Sequence, residues 1–321
     1  MGGLAILLAG VALALHLLLV LAAAPLVTGL LRWVKARLLG RRGPSPWQPW
    51  RDLRRLARKE PVVGEGVSPL FTAAPAVALA AIVAAAALVP SFAVGMAGGG
   101  LADLLVIFGL LALARAVLAL AALDGGTGFG GIGASREMAF AVFAEPALLL
   151  IAFTLALVVG TTNLDAIATA LQDGAHGLRV SLGLALVAML AAALVENGRM
   201  PADNPATHLE LTMVHEAMVL EYSARHLALI EYGASLRLLV WLSLLAAIFA
   251  PFGAAPAAAP LLWAFGLFAW IGKIGGLTLA LALFEGAIAK MRVFRVPEFL
   301  GVAVLLAVLA VVFLFVSQGF A

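Results

Sequence analysis

The stretch ENGRMPADNPATHLELTMVHEAMVLEYSARH (residues 196–226) decides how this chain is read. Ten of its thirty-one residues are Asp, Glu, Arg or His. The runs on either side, VSLGLALVAMLAAALV (180–195) and LALIEYGASLRLLVWLSLLAAIFA (227–250), are almost wholly apolar. Each is close to the twenty or so residues that an α-helix needs to cross a bilayer. A charged insert between two such runs is a loop at a membrane face.

Composition extends this reading to the whole chain. Of 321 residues, 64% are hydrophobic and 12% charged, and the mean hydropathy is +1.12. A soluble domain is about half apolar and about a quarter charged. The expectation is therefore an all-α, polytopic integral membrane protein, one domain over 1–321. Eight spans can be drawn, at about 4–31, 69–90, 100–123, 138–160, 179–197, 227–250, 259–285 and 299–318. The main polar loops are then about 32–68 and 196–226. The N-terminal run has no basic segment before it and is too long for a signal core, so it reads as a retained first span.

Loop charge gives an orientation. Sixteen of the twenty Lys and Arg residues fall after spans 1, 3, 5 and 7, ten of them between Arg32 and Lys59. The positive-inside rule puts those loops in the cytoplasm and both termini outside. This basic clustering, rather than nucleic-acid binding, accounts for the sequence pI near 9.7. The absence of cysteine excludes disulfides and thiolate ligation of iron–sulfur clusters or haem.

Three further features bear on chemistry. GPSPWQP (43–49) is stiffened by three prolines and leads into a basic helix, RDLRRLARKE, beside the membrane. It suits an acidic partner or a lipid-like head group. DGGTGFGGIG (124–133) formally contains G-x-G-x-x-G, but a span precedes it where a dinucleotide site needs a strand, so a Gly-rich break permitting close backbone approach at a span end is expected. Finally, Asp103, Arg115, Glu137, Glu145, Glu196, Glu231, Arg237, Lys273 and Glu285 lie in or beside spans. Charge in hydrocarbon is costly and faces protein or water, which makes a hydrated proton path the better reading of so large a set. Glu145 stands directly before Pro146, whose missing N–H frees a carbonyl.

If the opening stretch continues as one helix, Glu210 and Glu221 share a face, His208 and His215 a nearly opposite one, and Glu216 a third. Such a helix needs protein or water all round. It offers no H-E-x-x-H zinc pattern and no nucleophile with a base. Proton handling or docking is what remains.

The residues then become recognisable. ENGRMPADNPATHLELTMVHEAMVLEYSARHLALIEYG closely resembles the membrane-anchor subunits of group 4 [NiFe] hydrogenases, the formate hydrogenlyase subunit 4 type, which are relatives of complex I subunit 1. GRRGPSPWQPWRDLRRLARKE, GASREMAFAVFAEP (133–146) and KMRVFRVPEFLG (290–301) resemble the same family, in the same order. The resemblance implies a subunit without a redox site of its own, coupling protons or other ions. Its implied partners are hydrogenase large and small subunits, a ferredoxin-like iron–sulfur subunit and antiporter-like membrane subunits, and any [NiFe] or iron–sulfur cofactor sits on those chains. The implied setting is a prokaryotic cytoplasmic membrane. Candidate coupling residues are Glu145, Glu196, Arg199, Asp203, His208, Glu210, His215, Glu216, Glu221, Lys273 and Glu285. Arg41, Arg42, Trp47, Trp50, Arg51, Arg54, Arg55 and Glu60 are the candidates for docking the peripheral arm. Within the resemblance, Glu145 matches an acidic-channel glutamate, Glu196 with Arg199 an E-x-x-R, and Glu221-Tyr222-Ser223 an E-Y-S. Ala206 and His208 stand where the quinone-reducing branch has acids, and the spacing from Glu210 to Glu221 is longer, which favours the hydrogenase branch. A subunit of a quinone-reducing NADH dehydrogenase is the alternative. A stand-alone transporter is disfavoured because no inverted repeat is visible.

Overall fold

A computed structural model describes residues 2–64, 66–174, 179–203 and 213–319. The described chain is helical almost throughout: α1 (Gly3–Leu38), α2 (Gln48–Ala57), α3 (Pro69–Leu88), α4 (Leu104–Asp124), α5 (Gly128–Val159), α6 (Leu164–Gln172), α7 (Val180–Glu196), α8 (His215–Val219), α9 (Ala224–Phe249), α10 (Trp263–Ala287) and α11 (Val296–Gly319). A two-residue parallel pairing, β1 (Ala93–Val94) with β2 (Ala255–Pro256), ties together two loops at one end of the bundle.

Seven of these helices are long and apolar enough to span a membrane, and each falls on an expected span. The eighth expected span is α7, only 17 residues long. At 1.5 Å per residue it rises about 26 Å, just short of the hydrocarbon core. Two spans run longer than expected. α1 continues through Arg32, Lys35 and Arg37 because nothing in RWVKARL breaks a helix, and it ends only near Gly40 at φ +69°. α5 begins ten residues early, where the Thr127 side chain accepts a hydrogen bond from Gly130 N. The GxGxxG match is thus an interhelical turn: Gly125 closes α4, Gly126 takes φ +63°, and a side chain on Gly130 would press on Ala122 O.

α9 is the axis of the bundle. Its sequence from Leu236 to Ile248 is apolar on every side apart from Arg237 and Ser243, and it is buried all round. α1, α3, α7 and α10 surround it, α3 packs on α4, and α5, α7 and α11 form a second group. Alanine dominates the contacts, as expected where helix association in lipid depends on close approach.

Both tyrosines of the chain solve the same problem. Pro25 in α1 and Pro75 in α3 lack the N–H that would bond the carbonyl four residues earlier. The Tyr232 hydroxyl donates to Leu21 O at 2.9 Å, and the Tyr222 hydroxyl donates to Phe71 O at 2.9 Å. Each freed carbonyl therefore receives a donor, and each tyrosine pins α9, or the turn before it, to a neighbouring helix. Pro146 in α5 frees Val142 O in the same way, and among the described residues no side chain donates to it.

Candidate functional site

The segments 39–64, 66–68, 197–203 and 213–223 and the 288–295 connection gather at one end of the bundle, opposite the β1–β2 end. There a cavity of about 500 Å³ opens among α1, α3, α4, α5, α8 and α9. Its lower wall is apolar (Leu31, Ala78, Leu79, Ile82, Leu118, Ile230). Its ionisable groups are Arg32, Lys35, Arg115, Glu137, Arg199, Asp203, His215, Glu216, Glu231 and Arg237.

At the inner end of this cavity one guanidinium serves two acids. Arg115 of α4 donates through Nη1 to Glu196 and through Nη2 to Glu145. The Arg115 and Glu196 side chains are 4% and 3% exposed, whereas Glu145 is 50% exposed on the flank of the bundle. Counted along their helices from the β1–β2 end, the three lie about 16 to 24 Å up, well inside a 30 Å core. The shortness of α7 makes this possible, since Glu196 is its last residue and the following turn dips into the bundle. A second cavity, about 140 Å³, lies beyond Arg115 and is lined by Arg115, Glu145, Glu196 and Trp241. Arg115 is thus the common wall of two cavities.

Nearer the mouth, His215 Nδ1 lies 3.3 Å from Glu137. Gly198, at φ +56°, fits beneath the His215 ring, where any side chain would collide. Glu285 of α10 is almost completely buried, accepts from Lys35 Nζ at 2.8 Å and has Arg199 at 3.8 Å. Burial pushes the Arg199 guanidinium down from its ordinary value and Glu285 opposes this, so it remains a cation. Lys290 pairs with Asp203 at 2.8 Å, and Met291 N donates to Pro201 O at 2.9 Å, fastening the 197–203 turn to the α10–α11 connection. Arg136 donates to Met213 O at 3.0 Å. Arg237, inside the first cavity, has a buried Nε with no hydrogen-bond partner among the described residues.

The structure therefore brings Glu145, Glu196, Arg199, Asp203, His215, Glu216 and Glu285 to one connected polar region. Two expected members stand apart. Glu221 is exposed beside Tyr222, whose phenol burial and then Asp124 hold above its ordinary value. Lys273 sits towards the β1–β2 end, donating to Ala250 O and Phe252 O at 3.1 Å, where it caps the end of α9. His208 and Glu210 lie outside the described residues. The helix expected to continue through Glu221 is interrupted: among the described residues before α9, helix runs only over His215–Val219, and a turn follows before α9 begins at Ala224. Arg115, Glu137 and Arg237 were visible in the sequence as intramembrane charges, but only folding shows that Arg115 joins the two candidate acids. Lys35 was read only as loop charge, and α1 had to run two turns further to carry it to Glu285.

The basic loop divides into two groups. Trp47, Trp50, Arg51 and Arg54 border a groove between α2 and α9. Arg41, Arg42, Arg55 and Glu60 are exposed outside it. Among the described residues no three His, Asp or Glu side chains gather in a metal-ligating group.

Residues 11–317 match the family described as NADH dehydrogenase. Two Escherichia coli (strain K12) proteins are similar. Hydrogenase-4 component C is 37% identical over 233 residues, 72% of this chain and 72% of that protein. Formate hydrogenlyase subunit 4 is 34% identical over 283 residues, 88% and 91%. The fold is shared with a chain of the membrane-bound sulfane sulfur reductase, an archaeal respiratory membrane complex. That likeness has a TM-score of 0.77 at 20% identity and covers 94% of this chain and 98% of that one.

Proposed function

Because the chain belongs to the NADH dehydrogenase family of membrane subunits, we propose that it is the membrane-anchor and ion-coupling subunit of an energy-converting, membrane-bound hydrogenase complex. In this reading it links a peripheral redox arm to antiporter-like membrane subunits. The arm supplies the hydrogenase large and small subunits, the ferredoxin-like subunit and every [NiFe] and iron–sulfur cofactor. The polar end faces the cytoplasm, in keeping with its basic loops, and the membrane is the prokaryotic cytoplasmic membrane. The similarity to hydrogenase-4 component C and formate hydrogenlyase subunit 4 supports this branch.

One observation carries the coupling role: the Glu145–Arg115–Glu196 arrangement leads from the charge-bearing end of the 500 Å³ cavity to a half-exposed carboxylate on the bundle's flank. A carboxylate at that depth does not face lipid, so a neighbouring membrane subunit covers it. When either acid takes a proton, it releases Arg115 to pair wholly with the other. That gives a two-state element at the wall between the cavities, which an event under the arm can bias.

Glu145→Gln tests this. It keeps the shape and removes the charge, so the complex should assemble and evolve hydrogen while its proton-to-electron ratio falls. An unchanged ratio would remove Glu145 from the path. The second reading, a quinone-reducing dehydrogenase, draws on the largely apolar 500 Å³ cavity. The catalytic partner decides between them, because a hydrogenase large subunit needs paired CxxC nickel ligands and a quinone-type homologue lacks them.

A further inference from the structure

The groove between α2 and α9 offers a binding site of a different kind. It encloses about 680 Å³ and is bordered by Trp47, Trp50, Leu53, Leu229, Tyr232 and the arginines Arg51 and Arg54. Its floor has no donor to offer a polar guest. Trp50 Nε1 is committed to Ala22 O at 3.3 Å and the Tyr232 hydroxyl to Leu21 O, so both rings present carbon, tilted 50° with centroids 6.1 Å apart. Its rim is cationic. Arg51 and Arg54 are one helical turn apart on α2, and neither is ion-paired among the described residues, whereas Arg55 is held by Asp52 at 3.4 Å. The segment leading into α2 packs tightly against the bundle. The backbone of Pro46 crosses α1 at Gly29, so closely that any side chain at 29 would strike Pro46 O.

An apolar trough edged by two unpaired cations at a membrane face has the chemistry of an anionic amphiphile. We propose that it holds one anionic glycerophospholipid, with an acyl chain between α2 and α9 and its phosphate between Arg51 and Arg54. A bilayer supplies such molecules in excess. The occupant has a structural consequence, because Leu229 belongs both to this groove and to the 500 Å³ cavity. The acyl chain closes the cavity's flank, keeping water that enters from the polar end away from the lipid side. The proposal does not depend on which redox arm the subunit carries.

The test is native mass spectrometry of the purified full-length chain, titrated with dioleoyl phosphatidylglycerol and, separately, dioleoyl phosphatidylcholine. One phosphatidylglycerol should be retained in preference to phosphatidylcholine. R51Q and R54Q should each weaken it about fivefold, the worth of one basic residue at an anionic surface, while R55Q leaves it unchanged. Leu229→Trp, which fills the trough without altering charge, should release the lipid as well. Equal retention of the two lipids, or equal losses from R51Q and R55Q, would overturn the assignment. So would an R51Q/R54Q complex, isolated from membranes and measured in the same way, that keeps its lipid but has lost the peripheral arm, because the rim would then belong to a protein partner.

Discussion

Arg115 is the residue on which the polar interior depends. Leaving a buried charge without its partner costs about 3–5 kcal/mol, whereas replacing the whole pair by apolar groups costs far less. Arg115→Leu strands Glu196 and should lower stability by about that amount. Adding Glu196→Leu should recover most of the loss, as read from thermal unfolding in detergent; additive losses would show that the two do not act as a pair. At the other end, Asp165 accepts from Gly95 N at 2.9 Å, and burial raises its carboxyl above the ordinary value of 3.8, against the opposing pull of that hydrogen bond. A raised acid favours its neutral form in the fold. Its contribution is full below 3.8 and is lost as pH rises through the raised value. Asp165→Asn should therefore flatten the fall in unfolding temperature from acid to neutral pH, and parallel curves would contradict this. Glu145 and Glu196 were legible in the sequence because an acid inside an oily run demands an explanation. Their shared cation was not, since the three lie on different helices and nothing local relates them. The tyrosine–proline pairing was equally hidden, with Tyr222 and Phe71 separated by 151 residues.

At the scale of elements, the spans were readable because twenty apolar residues in a row have one common solution in lipid. The connections were not. α6, LDAIATALQ, lies in what reads as a loop, and its start is set by Asn163, whose side chain accepts from Ala166 N. The expected helix through Glu221 fails because α9 starts afresh at Ala224 and Tyr222 must turn aside to reach Phe71. α2 was expected from its charge and is present, starting three residues earlier, at Gln48. Its placement against α9 divides the basic loop's work. Arg41, Arg42 and Arg55 are exposed outside the groove, and the proposed docking of a peripheral arm can be tested at these three without disturbing the groove. Reversing all three to Glu should displace an acidic partner surface, since each like-charge contact costs several kcal/mol. Hydrogenase activity should then appear in the soluble fraction; full retention on membranes would rule out this surface.

For the whole molecule, the bias of basic residues predicts a topology that the absence of cysteine makes easy to examine. Single cysteines introduced by Val62→Cys and Asp173→Cys lie at opposite ends of the bundle. An impermeant maleimide should label the first only in inverted vesicles and the second only in right-side-out ones; the reverse pattern would invert the assigned orientation.

Pro146 has one more consequence. Its counterparts in α1 and α3 each have a tyrosine to quiet the carbonyl they set free, but Val142 is an exposed residue and no side chain among the described residues donates to its carbonyl. A carbonyl that has lost its helical donor is costly in hydrocarbon. α5 is therefore the span whose kink a hydroxyl from outside the helix would steady, as Tyr222 and Tyr232 steady those of α3 and α1.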